Sequence, residues 1–185
     1  MSKAVLISIR PKWCEKIARG EKTVEVRKTR PKLETPFKVY IYCTNQKNIM
    51  LWNARRYIYV DDHNHNAFDR CWNGSVVGEF TCNKVTNLFS NSRFWLDEDY
   101  VLQTCLSAAE IRKYANGANG LYGWHISKLQ IYDTPKPLSE FSRPFEICIG
   151  KVCDEYGCAY CKNGGHIKRP PQSWCYVEEL GNGGL

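Results

Sequence analysis

The chain has no apolar stretch of about 18 residues, the length a helix needs to cross a bilayer, so no membrane partner is expected. Met1 to Arg10 lack the long apolar region and small-residue cleavage site of a secretory leader, and the chain reads as cytoplasmic. In that compartment ten cysteines argue against a disulfide framework and for buried thiols or metal. No internal repeat is present. Strict alternation of strand and helix signals is also missing, which argues against a doubly wound parallel sheet.

Acidic residues are scarce at the start. Residues 1 to 44 hold eleven Lys/Arg against four Asp/Glu, whereas residues 45 to 185 hold fifteen of each. The whole excess of +7 therefore lies in the first quarter of the chain. Its densest part, Arg27-Lys28-Thr29-Arg30-Pro31-Lys32, is a Pro-interrupted loop that suits a polyanion. The same run also suits a solvated loop that aids solubility.

With 185 residues and 43% hydrophobic content, one main domain plus an appendage is expected. Ala4 to Arg10 alternates as a strand. Pro11 to Arg19 follows as an amphipathic helix with Pro at its first position and Gly20 after its end. Lys22 to Lys28 and Phe37 to Thr44 are the next strands; in the latter Val39, Ile41 and Cys43 point inward, Tyr40 and Tyr42 outward. Residues 45 to 73 form an irregular insertion in which Met50 to Tyr59 fits either helix or strand. His63, His65 and Cys71 in it are possible metal ligands, or parts of an exposed loop. Gly74 to Val85 is a strand, with Gly78 marking a bulge or a close backbone approach. Ser107 and Glu110 spell a capping box for a helix reaching Ala115. Leu121 to Tyr132 is a strand that Asp133 to Leu138 ends as an extended edge. Trp174 to Glu179 is the last strand, before a frayed tail at 181 to 185. These elements predict an α+β fold: a small, partly open mixed β-barrel with short helices at its rim.

Gly20-Glu21-Lys22-Thr23-Val24-Glu25-Val26-Arg27 joins the first helix to the second strand. Alternation puts Glu25 and Arg27 on one strand face, with Lys22 at the turn above them. A cation, a carboxylate and a guanidinium at a barrel mouth can read a polar ligand or act on it. The same spacing also fits a surface ion-pair ladder. Arg10 and Lys12, where strand meets helix, can grip a phosphate. Of Trp124 and His125, adjacent in a strand, only one can face the cleft: either Trp124 stacks on a base beside Glu25, or it is core and His125 is surface.

Cys158-x-x-Cys161 is a metal knuckle, and Gly164-Gly165-His166 follows at a spacing similar to a nucleic-acid-binding zinc knuckle. Pro171 stands where that pattern has its last Cys. Cys153 closes the set from upstream, with Cys148 and Cys175 as alternatives. One structural zinc on Cys153, Cys158, Cys161 and His166 is expected. It would hold a coreless loop of about 25 residues within 142 to 180, and Lys162, Lys168 and Arg169 could add a second basic contact.

Gly20-x-Lys22-x-x-Glu25-x-Arg27 resembles the signature of the ASCH domain, one of the PUA-like small β-barrels. Ser8-Ile9-Arg10-Pro11-Lys12-Trp13, Tyr122-Gly123-Trp124-His125-Ile126 and Pro170-Pro171-Gln172-Ser173-Trp174 are similar to segments of bacterial and phage ASCH proteins. The resemblance covers residues 4 to 141 or so, which sets the main domain at 1 to 141. It implies a cleft between barrel and helix, lined by the signature residues, that binds RNA or a nucleoside. With the residues read above, the candidate ligand-binding set is Arg10, Lys12, Lys22, Glu25, Arg27 and Trp124, in a monomer. Some relatives hydrolyse acetylated cytidine with the signature Lys, a Thr three residues on and a distant Glu; another relative is described as a ribonuclease. Here the Lys is Lys22, Glu25 occupies the Thr position, and Thr104 aligns with the distant acid, near Glu98 and Asp99. An amidohydrolase or ribonuclease using Lys22 and Glu25 is the alternative reading. A third is a phage-encoded protein that blocks a host factor through residues 45 to 73.

Overall fold

A computed structural model describes residues 2–46, 49–52, 56–59, 71–90, 93–94, 98–118, 120–144 and 165–181. Its elements are β1 (Lys3–Ile9), α1 (Pro11–Ala18), β2 (Val24–Arg27), β3 (Phe37–Cys43), β4 (Ile49–Trp52), β5 (Arg56–Tyr59) and β6 (Ser75–Asn87). Then come β7 (Phe89–Ser90), β8 (Arg93–Phe94), α2 (Glu98–Thr104), α3 (Ala108–Ala115), β9 (Tyr122–Pro137) and β10 (Trp174–Glu178). Among the described residues no helix is long and apolar enough to cross a membrane.

Six strands form one mixed sheet in the order β10-β1-β3-β6-β9-β2, with β1 and β3 parallel and the other neighbours antiparallel. The long strands β6 and β9 shift register at Val76/Gly78, Glu79/Thr81 and Cys82/Val85. Such bulges bend a strand and sharpen its twist, and here they curl the sheet into a partly open barrel. Gly78 is both bulge and close approach, because a Cβ there would lie 2.5 Å from the Gln130 carbonyl oxygen. The curl brings the edge strand β2 back towards β1. The Arg27 guanidinium spans the remaining gap, donating to the Ser8 carbonyl at 2.7 Å and to the Ser173 hydroxyl at 3.4 Å.

The barrel interior holds Val5, Ile7, Ile9, Ile17, Phe37, Val39, Ile41, Phe80 and Trp124. A second cluster lies on the other face of β1 and β3, where Leu6, Tyr40 and Tyr42 pack under Phe141, Ile167 and Val177. Tyr40 and Tyr42 thus face away from the barrel interior, as alternation predicts, yet they are buried because later residues of the chain cover them. A third cluster seats α3 on β2 through Val26, Ile111, Ala115, Leu88 and Leu121.

Expected elements recur with shifted ends. Gly20 takes a φ of +74° after α1, and the Ser107–Glu110 capping box is complete. β9 runs on to Pro137, and Lys136 and Pro137 still pair with β6, so the segment expected to end the strand continues it. The 45–73 insertion contains the β4–β5 hairpin and is not wholly irregular. His63 and His65 lie outside the described residues, as do Cys148, Cys153, Cys158, Cys161 and Lys162.

Candidate ligand-binding cleft

β1 delivers Ser8 and Ile9 to one end of the barrel, and the turn into α1 delivers Arg10 and Trp13. Gly20 reverses the chain, so that Lys22 enters beneath α1 and β2 can start at Val24. Together with residues of α3 and the segment before β10, these line a cavity of about 470 Å³. Ser8, Arg10, Trp13, Lys22, Glu25, Arg27, Glu110, Tyr114, Gln172 and Ser173 are in its wall.

Its polar side is a buried ion network rather than a surface ladder. Glu25 places Oε2 3.3 Å from the Lys22 ammonium and Oε1 2.9 Å from Arg27 Nη2. All three residues are less than a tenth exposed. Lys22 also donates to the Val24 carbonyl at 2.9 Å and to the Thr104 carbonyl at 2.7 Å. An ammonium has three protons, and Lys22 has three acceptors here. Its position at the end of α2 is favourable, since a helix C-terminus carries partial negative charge. Arg27 keeps one buried group, Nε, without a hydrogen-bond partner among the described residues.

The remaining wall is aromatic and mixed. Trp13 is half-buried, with the Lys12 ammonium 4.8 Å and the Lys22 ammonium 5.4 Å from its ring. Tyr114 has the Lys28 ammonium 5.4 Å from its ring, and burial pushes its hydroxyl up from the ordinary tyrosine range. The Ser107 N–H and hydroxyl bond to the Glu110 carboxylate and hold it below its ordinary range. The Ser173 wall is fixed to β1 twice. Ser8 N–H donates to the Ser173 carbonyl at 2.9 Å, and its hydroxyl to the Pro171 carbonyl at 2.6 Å.

No protein-family model matches the chain, and no curated protein matches it. Solved structures do. The crystal structure of ASCH from Zymomonas mobilis aligns with a TM-score of 0.56 at 18% identity, over 95% of this chain and 88% of that one. A Ser-to-Ala mutant of that protein gives 0.56 and 18% over 95% and 89%, and a Tyr-to-Phe mutant 0.56 and 18% over 96% and 92%. The chain has the ASCH fold. At this identity the likeness concerns the path of the backbone.

In this ASCH fold the expected site residues are not all equivalent. Arg10, Lys22, Glu25 and Arg27 share one cavity wall, and Lys12 stands exposed beside it. Trp124 does not reach the cavity. It pairs in register with Glu25 and shares its face, but it is fully buried under Phe37 and Trp174, with ring centroids 5.9 Å from each. A base cannot stack there without opening the core. Trp13 and Tyr114 are the aromatic side chains among the described residues of the cavity wall. His125 is half-buried, with Nε2 2.9 Å from both Thr86 Oγ1 and the Tyr100 hydroxyl. At the position aligned with the distant acid it is the Thr104 carbonyl that accepts from Lys22, and Glu98 and Asp99 are exposed at the other end of α2.

Trp13, Tyr114, Gln172 and Ser173 are wall residues that spacing did not single out. Gln172 and Ser173 lie nearly 150 positions from the signature, and only the pairing of β10 with β1 brings them in. Among the described residues no group of three or more metal-ligating side chains occurs. Of the four expected zinc ligands only His166 is described; it is exposed, with Nδ1 3.2 Å from the Ser142 hydroxyl.

Proposed function

We propose that this chain binds RNA or a nucleoside in the cavity beneath α1. The observation that carries this reading is the Glu25–Arg27 pair set beside the half-buried Trp13 ring in one wall of a cavity of about 470 Å³. Cavities of roughly 300–1,000 Å³ suit small ligands, and a nucleoside falls in that range. Arg10 and Arg27 offer donors to carbonyl or phosphate oxygens, and Glu25 accepts from an exocyclic amine or a sugar hydroxyl. Trp13 offers a ring face. Lys22 acts behind Glu25, with its protons directed at three internal acceptors.

Titration calorimetry with a panel of nucleosides, nucleoside monophosphates and short RNA tests the reading. Binding should weaken by about tenfold or more in Trp13→Ala and Glu25→Gln, the scale of one lost stacking or charged contact. Absence of binding across the panel would overturn it. The same samples report on hydrolysis: turnover of acetylated cytidine or RNA that disappears in Lys22→Ala, with the fold intact, would assign an enzyme.

We also infer one structural zinc on Cys153, Cys158, Cys161 and His166. The His166 Nδ1 contact with Ser142 leaves Nε2 for a metal, the arrangement that orients a ligating histidine. Metal analysis of the purified protein should find about one equivalent of zinc, lost in Cys158→Ser. Metal-free protein with an unchanged unfolding transition would dismiss it.

A further inference from the structure

α2 rests on the barrel with little apolar packing of its own. Thr104 is its one buried residue, and Leu102 is turned outward. Polar bonds fasten its end to the turn before β2. Thr23 N–H donates to the Gln103 carbonyl at 2.9 Å, and the Lys22 ammonium to the Thr104 carbonyl at 2.7 Å. Just past the helix, the Cys105 thiol lies 3.3 Å from the Glu21 carbonyl. Nearer its start α2 is held by one side chain, Tyr100. That half-buried ring lies over Gly123, where a Cβ would come within 2.9 Å of the phenol oxygen. The Tyr100 hydroxyl meets His125 Nε2 at 2.9 Å, and the ring packs on the cluster that includes Val26 and Leu88. Beneath it, β2 and β9 keep their own ladder, from Val24–His125 to Arg27–Tyr122. A segment with few buried apolar contacts opens at a lower free energy than the core it covers.

We propose that α2 is a clip that leaves the sheet as a unit, with Tyr100 as its plug, and that it controls the Lys22 ammonium in the cavity wall. Seated, the clip takes one of the three Lys22 protons at the Thr104 carbonyl. Unseated, Lys22 keeps Glu25 and the Val24 carbonyl and has one proton to offer the cavity it lines. A ligand with an acceptor at that point favours the unseated form and shifts the population towards it. The clip stands on the geometry of α2 and the cavity wall and does not depend on the ligand being a nucleoside.

Native-state hydrogen exchange read by NMR tests the clip, because two neighbouring amides report on different partners. Thr23 N–H is bonded to α2, whereas Ile126 N–H donates across the sheet to the Thr23 carbonyl at 2.9 Å. Thr23 should exchange about tenfold or more faster than Ile126. Tyr100→Ala should speed Thr23 by a further tenfold or so and leave Ile126 unchanged. Tyr100→Phe, which keeps the ring and loses only the hydroxyl bond, should fall between the two. Reductive methylation mapped by mass spectrometry reads the Lys22 arm. Lys22 should react far more slowly than the exposed Lys12 and Lys28, and Tyr100→Ala should raise its rate by about tenfold. Thr23 and Ile126 exchanging together in wild type and both variants would overturn the clip. A Lys22 rate indifferent to Tyr100→Ala would overturn its control of the ammonium.

Discussion

The Lys22 ammonium lies 2.7 Å from the carbonyl oxygen of Thr104, a residue 82 positions away at the end of α2. That bond and the Glu25 ion pair make Lys22 a strut between the second strand and a distant helix. Lys22→Met leaves Glu25 paired with Arg27 alone and the buried Val24 and Thr104 carbonyls without their donor, a loss of about 1–3 kcal/mol. Urea unfolding should report it. Lys22→Arg should not restore stability, since a planar fork cannot replace a compact ammonium at a site fitted to it. A variant as stable as wild type would show that the strut is dispensable.

The two tryptophans should separate stability from binding. Trp124→Ala opens the fully buried core and is expected to lower stability by about 3–5 kcal/mol. Trp13→Ala should change unfolding far less but weaken nucleoside binding by about 1–3 kcal/mol, the worth of one stacked base. Paired unfolding and calorimetric titrations of both variants decide it.

Stability should fall on the acid side of neutrality, partly through His125. Burial, aided by Lys84, lowers its folded pKa below the ordinary value of 6.5. The unfolded chain therefore takes up a proton first as pH drops. The contribution is complete above about 6.5 and is lost as pH falls from there through the folded pKa. Thermal unfolding between pH 8 and 5 should show this slope, and His125→Gln should flatten it.

Three thiols should be protected in the folded protein. Burial pushes Cys82 and Cys175 up to about 11 and raises Cys14 well above its ordinary value. Since the thiolate is the reacting species, alkylation at pH 8 should leave these three unmodified until urea is added. Peptide mapping by mass spectrometry reads the outcome residue by residue.

The ion network was legible in the sequence because two-residue alternation alone places Glu25 and Arg27 together, and Gly20 marks the reversal that adds Lys22. Its burial was not legible, since the covering elements are remote. α3 announced itself through Ser107 and Glu110. α2 did not: its only buried residue is Thr104, and Leu102 is 72% exposed, so no apolar stripe betrays it. Alternation could put Trp124 on the face of Glu25 but could not tell core from cavity, because depth in the barrel, rather than strand face, separates the two. Alternation gave Tyr40 and Tyr42 their outward face but not their burial, as their cover comes from residues about a hundred positions onward.

Arg27 joins the two free margins of the sheet while forming part of the proposed recognition surface. Changing it would loosen the scaffold along with any ligand preference. Altered selectivity should therefore be sought at Gln172, Tyr114 and Trp13, whose side chains border the hollow. A library confined to those three positions would explore new ligands while leaving the architecture in place.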